Sequence, residues 1–186
     1  MKAGSPIPTR PQVLLLAAAL VCLSACETEI LWIDPPVHYT VDHRTCGGDE
    51  DAAIGAETGI YEEQIFNPFS SHANAPISPG QQGGLWVMPA LRTTGIRNPV
   101  RLRATITTAD GEVVGTTVVA SVRMRVSPNG ACEILALPVP IQHAADAAAP
   151  IDDLYGVAAK LKIEVESRSE GGGKAVGEAD VMLVKG

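Results

Sequence analysis

The chain has few aromatic residues and no long apolar run. Only 4% of its 186 residues are Phe, Trp or Tyr, which supplies little for the aromatic grooves of carbohydrate-cleaving β-sandwich enzymes. The longest apolar run, residues 13–23, has eleven residues, whereas a helix that crosses a bilayer needs roughly 20. The composition therefore argues against a cell-wall hydrolase and against a membrane-spanning helix.

The spacings of common catalytic and metal sites are also absent from the sequence. The four histidines, His38, His43, His72 and His143, form no H-x-H, H-x₃-H or H-E-x-x-H motif. No serine lies in a G-x-S-x-G elbow. Gly171–Gly173 precedes no helix whose N-terminus could bind phosphate. We therefore expect a non-catalytic protein without a cofactor.

Residues 1–26 have the three zones of a bacterial lipoprotein signal. Residues 1–12 carry Lys2 and Arg10 and no acid, and the apolar run 13–23 follows. Leu23-Ser24-Ala25-Cys26 resembles the lipobox at which a signal peptidase cleaves before a lipidated cysteine. We therefore predict that residues 1–25 are removed and that Cys26 carries diacylglycerol, with palmitate as a label. An ordinary secretory signal with an incidental cysteine is the alternative.

The predicted mature chain of 161 residues is acidic. The whole chain has a net charge of −7, and loss of Lys2 and Arg10 brings it to −9. Such a domain has no electrostatic footprint for nucleic acid, and its net charge predicts repulsion from anionic lipid. The partners that we expect are the membrane, through the lipid on Cys26, and another envelope protein or a glycan.

The residue after Cys26 indicates where the protein is delivered. It is Glu27, not the aspartate that retains lipoproteins in the inner membrane of enteric bacteria. Two or more acyl chains anchor a protein durably. We therefore expect a lipid anchor in the outer membrane, on either its periplasmic or its surface face.

Two cysteines remain after processing and lipidation. Cys22 leaves with the signal and Cys26 is modified, so Cys46 and Cys132 are an even pair in an oxidising compartment, which predicts one disulfide. The rival hypothesis is a periplasmic metal-binding protein whose ligands are His38, His43 and Cys46, with Cys132 or Met88 in addition.

The rest of the chain reads as strands. Residues 26–52 are predicted to be the lipidated N-terminus and tether, and residues 53–186 the folded domain. Period-two alternation of apolar and polar residues appears in 100–107, 118–126 and 157–166, and Asp110-Gly111 marks a tight hairpin. We predict an all-β domain, an antiparallel immunoglobulin-like β-sandwich of about seven strands.

Three details of this prediction are specific. In residues 118–126, Val118, Ala120, Val122, Met124 and Val126 are expected to face the core. Residues 84–94 are read as one strand, in which Pro89 indicates an edge or a bulge. Residues 141–149 are the one stretch that could support a helix, of barely two turns.

One segment resembles a known family. Gln82-Gly83-Gly84 opens a strand that contains Trp86 and Met88, and a hairpin and a C-terminal strand pair follow. This arrangement is similar to a family of uncharacterised Gram-negative surface lipoproteins over roughly residues 53–186. Many members have a histidine at the position of Trp86 and an aromatic residue at that of Met88, so the resemblance implies fold and address without chemistry. Trp86 is expected in the core, and a binding surface with Met88 is the alternative.

Overall fold

The computed structural model describes residues 45–46, 52–80, 84–143 and 150–186. All of them belong to one compact unit, Tyr39–Gly186. Twelve strands and a single-turn 3-10 helix, Ile151–Leu154, make up the described residues. The strands are β1 (Gly55–Glu62), β2 (Ile65–Pro68), β3 (Ala73–Pro79), β4 (Leu85–Val87), β5 (Ala90–Thr94), β6 (Val100–Thr108), β7 (Val113–Val122), β8 (Arg125–Val126), β9 (Cys132–Ile134), β10 (Val139–Ile141), β11 (Ala158–Ser167) and β12 (Lys174–Lys185).

The strands form two sheets, so the predicted all-β class is confirmed. Seven strands pair in the order β10-β4-β3-β12-β11-β6-β7, and a β10–β7 pairing at Ile141 and Gly115 closes this sheet. The other five pair in the order β2-β1-β5-β9-β8. All the pairings are antiparallel except β3–β12, which is parallel. The strand count exceeds the expected seven because several strands have only two to four residues.

The longest strands follow the predicted alternation. In β11, Ala159, Leu161, Ile163 and Val165 are buried, and Lys160 on the other face is exposed. The strand pairs with β6 on one side and β12 on the other over nearly its whole length. Branched apolar side chains on one face and charged ones on the other suit a half-buried strand. These three strands therefore form the regular part of the closed sheet.

The inner faces of the two sheets share one hydrophobic core. Leu91 and Cys132 of the five-stranded sheet belong to the same buried cluster as Leu102, Ile163 and Leu183 of the closed sheet. The sheets approach closely at Gly177 of β12, since a Cβ there would lie 3.0 Å from the Thr58 side chain of β1. The packing of two sheets over one core is sandwich-like, as predicted.

The predicted facing of residues 118–126 is wrong in its first half and again at Val126, which is 41% exposed. Val118 is 50% exposed and Ala120 is exposed, whereas Val119 packs against the core. A register irregularity in the β6–β7 pairing lies between Val100 and Leu102. Bulges of this kind shift which residues face the core. Val122 and Met124 do contact or enter the core, as expected.

Residues 84–94 contain two strands rather than one. β4 belongs to the closed sheet and β5 to the five-stranded sheet, and Met88 and Pro89 connect them. Pro89 has no N–H to donate, but its carbonyl accepts a hydrogen bond from Leu137 N at 2.8 Å. The proline thus marks the point at which the chain passes between sheets, which the sequence indicated only as an edge or a bulge.

The connections match the sequence elsewhere. Asp110-Gly111 lies in the β6–β7 hairpin, where Gly111 has a φ of 92°. The turn predicted at 127–130 and the glycine-rich link before the last strand are both present. Of the possible helix 141–149, Ile141 is the last residue of β10, and residues 144–149 lie outside the described ranges.

Candidate binding site

Three of the residues singled out in the sequence cannot be located. Cys26, His38 and His43 lie outside the described residues. Among the residues that the structure does describe, no group of three or more His, Cys, Asp or Glu side chains could hold a metal ion. Within the same ranges, no helix has the length and hydrophobicity to cross a membrane.

Cys46 and Cys132 form the predicted disulfide. Their Sγ atoms are 1.98 Å apart and their Cα atoms 5.1 Å apart, and both residues are fully buried. A cysteine in a disulfide offers no thiolate to a metal, so Cys46 is not available to the metal-site hypothesis while the bond is intact. The bond joins the chain shortly before β1 to β9 in the five-stranded sheet.

Backbone pairing supports the disulfide. Thr45 forms an isolated antiparallel bridge with Arg97, and Cys46 N donates to the Ile96 carbonyl at 2.9 Å. Arg97 N in turn donates to the Gly172 carbonyl at 3.0 Å, in the turn between β11 and β12. Thr45 and Cys46, which the sequence assigned to the tether, are therefore held within the fold beside that turn.

Asn98 supplies the polar contacts on the other side of the bridge. Its amide nitrogen donates to the Met124 carbonyl at 3.2 Å, and its side-chain oxygen accepts from Met124 N at 2.9 Å. The amide nitrogen also lies 3.9 Å from the Cys132 sulfur. Asn98 thus pairs with the backbone where β7 has ended and β8 has not begun, which satisfies groups that would otherwise be buried without partners.

Trp86 and Met88 occupy different environments. Trp86 in β4 is half-buried, and its indole covers Gly80, where a Cβ would lie 2.1 Å from the Trp86 Nε1 atom. Met88 is 44% exposed, in the connection between the two sheets. The structure therefore places Trp86 against the β3–β4 connection and Met88 at the surface between β4 and β5.

The five-stranded sheet carries a buried charged cluster on its outer face. Glu133 in β9 is 1% exposed. One carboxylate oxygen accepts hydrogen bonds from Arg92 Nε and Nη2, both at 2.9 Å, and the other accepts from the Tyr61 hydroxyl at 2.6 Å. The Arg92 guanidinium also stacks 4.2 Å from the centre of the Phe66 ring. The cluster therefore links β1, β2, β5 and β9.

The electrostatics of this cluster fit a structural role. Burial is the main cause that raises the pKa of the Tyr61 hydroxyl, and its hydrogen bond to Glu133 raises it further. A phenol with a raised pKa stays protonated and continues to donate. Because Glu133 is 1% exposed and both of its oxygens already accept hydrogen bonds, the carboxylate is not accessible to a substrate. We assign the cluster to sheet stabilisation.

A charged groove of about 280 Å³ lies on the outer face of the closed sheet, across β6, β11 and β12. Two rows of cross-strand neighbours cross it. Arg103 faces Glu164, which faces Val176, and Arg101 faces Glu166, which faces Lys174. The groove is lined by Arg101, Leu102, Arg103, Glu164, Val165, Glu166, Lys174, Ala175 and Val176.

Lysines, not arginines, hold the two glutamates of the groove. Lys162 Nζ lies 2.9 Å from Glu164 and Lys174 Nζ lies 2.5 Å from Glu166. The hydrogen bond from Lys162 is the main cause that lowers the pKa of the Glu164 carboxyl, and that from Lys174 does the same for Glu166. Both carboxylates are therefore ionised at neutral pH and already engaged.

The arginines opposite them remain open. Among the described residues, neither Arg101 nor Arg103 forms a hydrogen bond or an ion pair, although each lies within electrostatic range of a glutamate. Both side chains are exposed and point from the same face of β6, two residues apart. Arg168 adds a third guanidinium at this end, where its Nη1 lies 3.4 Å from the Ala120 carbonyl of β7. The groove therefore presents planar cationic donors suited to an anion.

The sequence contained part of this site. The alternation in residues 100–107 placed Arg101 and Arg103 on the solvent face of one strand. Their proximity to Lys174 and Arg168 depends on β11 lying between β6 and β12, and no local pattern states which strands are neighbours. Cross-strand register is what brings these cations together.

The comparisons with known proteins add no family to these observations. No family model matches the chain, and no curated protein is significantly similar to it.

Proposed function

We propose that this chain is a lipid-anchored protein of the bacterial envelope whose β-domain is a binding or scaffolding module without catalytic activity. The observation that carries the proposal is the linkage of Thr45 and Cys46 to the fold. A lipid on Cys26 would be joined by the 18 residues 27–44 to a segment held by both backbone pairing and a disulfide. Such a connection limits how far the domain can lie from the anchor.

The chemistry of the groove favours binding over catalysis. Arginine stays protonated throughout the ordinary pH range, so Arg101 and Arg103 suit the holding of an anion and not the transfer of a proton. The two glutamates beside them are engaged by lysines. An outer-membrane address and a partner among envelope proteins, glycans or lipids are consistent with this surface and with the resemblance to surface lipoproteins.

Metabolic labelling with palmitate tests the anchor. We expect the chain to incorporate label, to fractionate with membranes and to resist extraction by high salt, because two or more acyl chains hold a protein durably. Cys26→Ala should abolish the label and leave an unprocessed precursor. Cys22→Ala, four residues earlier in the same signal, is the matched control and should be labelled normally. Maturation of the Cys26→Ala chain without label, still bound to membranes, would refute the lipid anchor.

A further inference from the structure

We infer that the groove between β6, β11 and β12 binds the phosphate groups of anionic lipids in the membrane that carries the anchor. This inference rests on the proposed lipid anchor and names a ligand for the domain that the anchor holds. It depends on three observations: the local charge, the place at which the chain enters the fold, and the apolar side chains beside the arginines.

The groove is cationic within an acidic protein. The charged residues of its lining, Arg101, Arg103, Lys174, Glu164 and Glu166, sum to +1, and Arg168 beside the groove brings this to +2. With Lys162, Glu170 and Glu178 at its margin the sum is +1, so the face stays cationic. The predicted mature chain as a whole carries −9, so the sign of the charge on this face is opposite to that of the chain. Local charge, not net charge, decides attraction at a surface within a Debye length, about 10 Å at 0.1 M salt.

The groove adjoins the point at which the tether reaches the domain. Thr45 pairs with Arg97, which hydrogen-bonds to Gly172, and Lys174 of the groove is two residues further along the chain. The 19 Cα-to-Cα steps from Cys26 to Thr45 can span at most about 65 Å when fully extended. The end of the closed sheet that is joined to the anchor is therefore the end that carries the arginines.

Two exposed valines border the charged rows. Val118 of β7 faces Arg103 across the strand pair and is 50% exposed, and Val176 of β12 faces Glu164 and is 49% exposed. Open guanidinium groups between apolar side chains match a phosphate with glycerol and acyl carbons next to it, since arginine forms paired hydrogen bonds with phosphate oxygens. A soluble phosphate would not use the valines.

The test reconstitutes the full mature lipoprotein into vesicles of phosphatidylcholine alone and of phosphatidylcholine with phosphatidylglycerol in a 7:3 ratio. Phenylglyoxal modifies accessible arginines, and mass spectrometry gives the rate at each one. We expect modification of Arg101, Arg103 and Arg168 to slow by about threefold or more in the anionic vesicles. The rate at Arg125, in the other sheet, should not change. The protection should disappear in 1 M NaCl, where the Debye length falls to about 3 Å.

A pair of charge-reversal variants makes the test specific. In Arg101→Glu with Arg103→Glu, the remaining Arg168 should be modified at the same rate in both vesicles. Lys160→Glu with Lys185→Glu changes the charge equally at the other end of the same strands and should retain the protection of Arg168. All four positions are exposed, so both variants should fold.

Two outcomes overturn the inference. One is equal modification of the three arginines in both vesicles for the unaltered protein. The other is equal protection by 10 mM inorganic phosphate on neutral vesicles, because the groove would then be a site for free phosphate. Flotation of the same samples in 1 M NaCl reports separately on the anchor, since loss of the protein from both vesicles contradicts lipidation whatever the arginine rates show.

Discussion

At the scale of single residues, Glu133 is the side chain on which the stability of the fold should depend strongly. It is the only charged residue that is fully buried among those described, and it accepts hydrogen bonds from Arg92 and Tyr61. Removal of one partner from a buried charged network leaves the other partners without compensation. The stability of the five-stranded sheet should therefore depend on this carboxylate more than on any surface ion pair.

Glu133→Gln should lower the free energy of unfolding by about 2 kcal/mol. Glutamine keeps the shape and one acceptor oxygen but loses the charge that balances Arg92. Urea unfolding followed by circular dichroism measures the change. Glu164→Gln is the matched control, because Glu164 is 44% exposed and its pairing with Lys162 is worth at most about 1 kcal/mol. Equal effects of the two substitutions would contradict the role given to Glu133.

The Tyr61 hydroxyl should titrate above its ordinary pKa of 10.0, mainly through burial and then through Glu133. Since the folded state holds this proton more tightly than the unfolded state, its contribution to stability is complete below pH 10. The contribution is lost as the pH rises through the raised pKa. Absorbance at 295 nm follows the ionisation, with Tyr61→Phe to identify the signal. Glu133→Gln should bring the pKa partly back, because burial remains. A pKa of Tyr61 equal to that of an exposed tyrosine would argue against the cluster.

At the scale of elements, sequence patterns were reliable where a strand is long and regular. The alternation in β6 and β11 indicated correctly which side chains are buried, because both faces of these strands are uniform over eight or more residues. The turns predicted at Asp110-Gly111 and Ser127–Gly130 were also correct, since each contains a glycine at positive φ. Short strands such as β9 and β10 have too few residues to show a period.

Three features could not be read from local patterns. The facing of β7 changes at an irregularity in its pairing with β6, the two strands within 84–94 belong to different sheets, and β3 pairs in parallel with β12. Each depends on contacts between residues far apart in sequence. The arginine groove falls in the same category, since its four cations come from β6, β12 and the turn after β11.

Substitutions in β7 test the corrected register. Val119→Ser should lower stability by about 1.5 kcal/mol because the side chain packs against the core. Val118→Ser should change it by less than about 0.5 kcal/mol, because Val118 is 50% exposed. Thermal or urea unfolding of the two variants gives the comparison. A larger loss of stability in Val118→Ser than in Val119→Ser would support the facing expected from the sequence.

At the scale of the whole molecule, one covalent bond connects distant parts of the chain. Cys46 and Cys132 are 86 residues apart in sequence, so in the chain-entropy model the bond stabilises the fold by about 4.5 kcal/mol. It also fixes the segment that leads to the proposed anchor. Loss of the bond should therefore have a global effect on stability and a local effect at the junction of tether and domain.

Replacement of both cysteines by alanine tests the two effects together. The free energy of unfolding of Cys46→Ala with Cys132→Ala should fall by about 4.5 kcal/mol, and hydrogen exchange should accelerate first at the amides of position 46 and Gly95. In the native protein the amide of residue 46 donates to the Ile96 carbonyl, and the amide of Gly95 donates to the Cys46 carbonyl. Both therefore report on release of the incoming segment. The amides of β11 serve as the internal control and should exchange only through global unfolding.

A thiol count on denatured, unreduced mature protein should give no free thiol. Two free thiols would show that the pair is reduced in the native protein, and Cys46 would then be available to a metal.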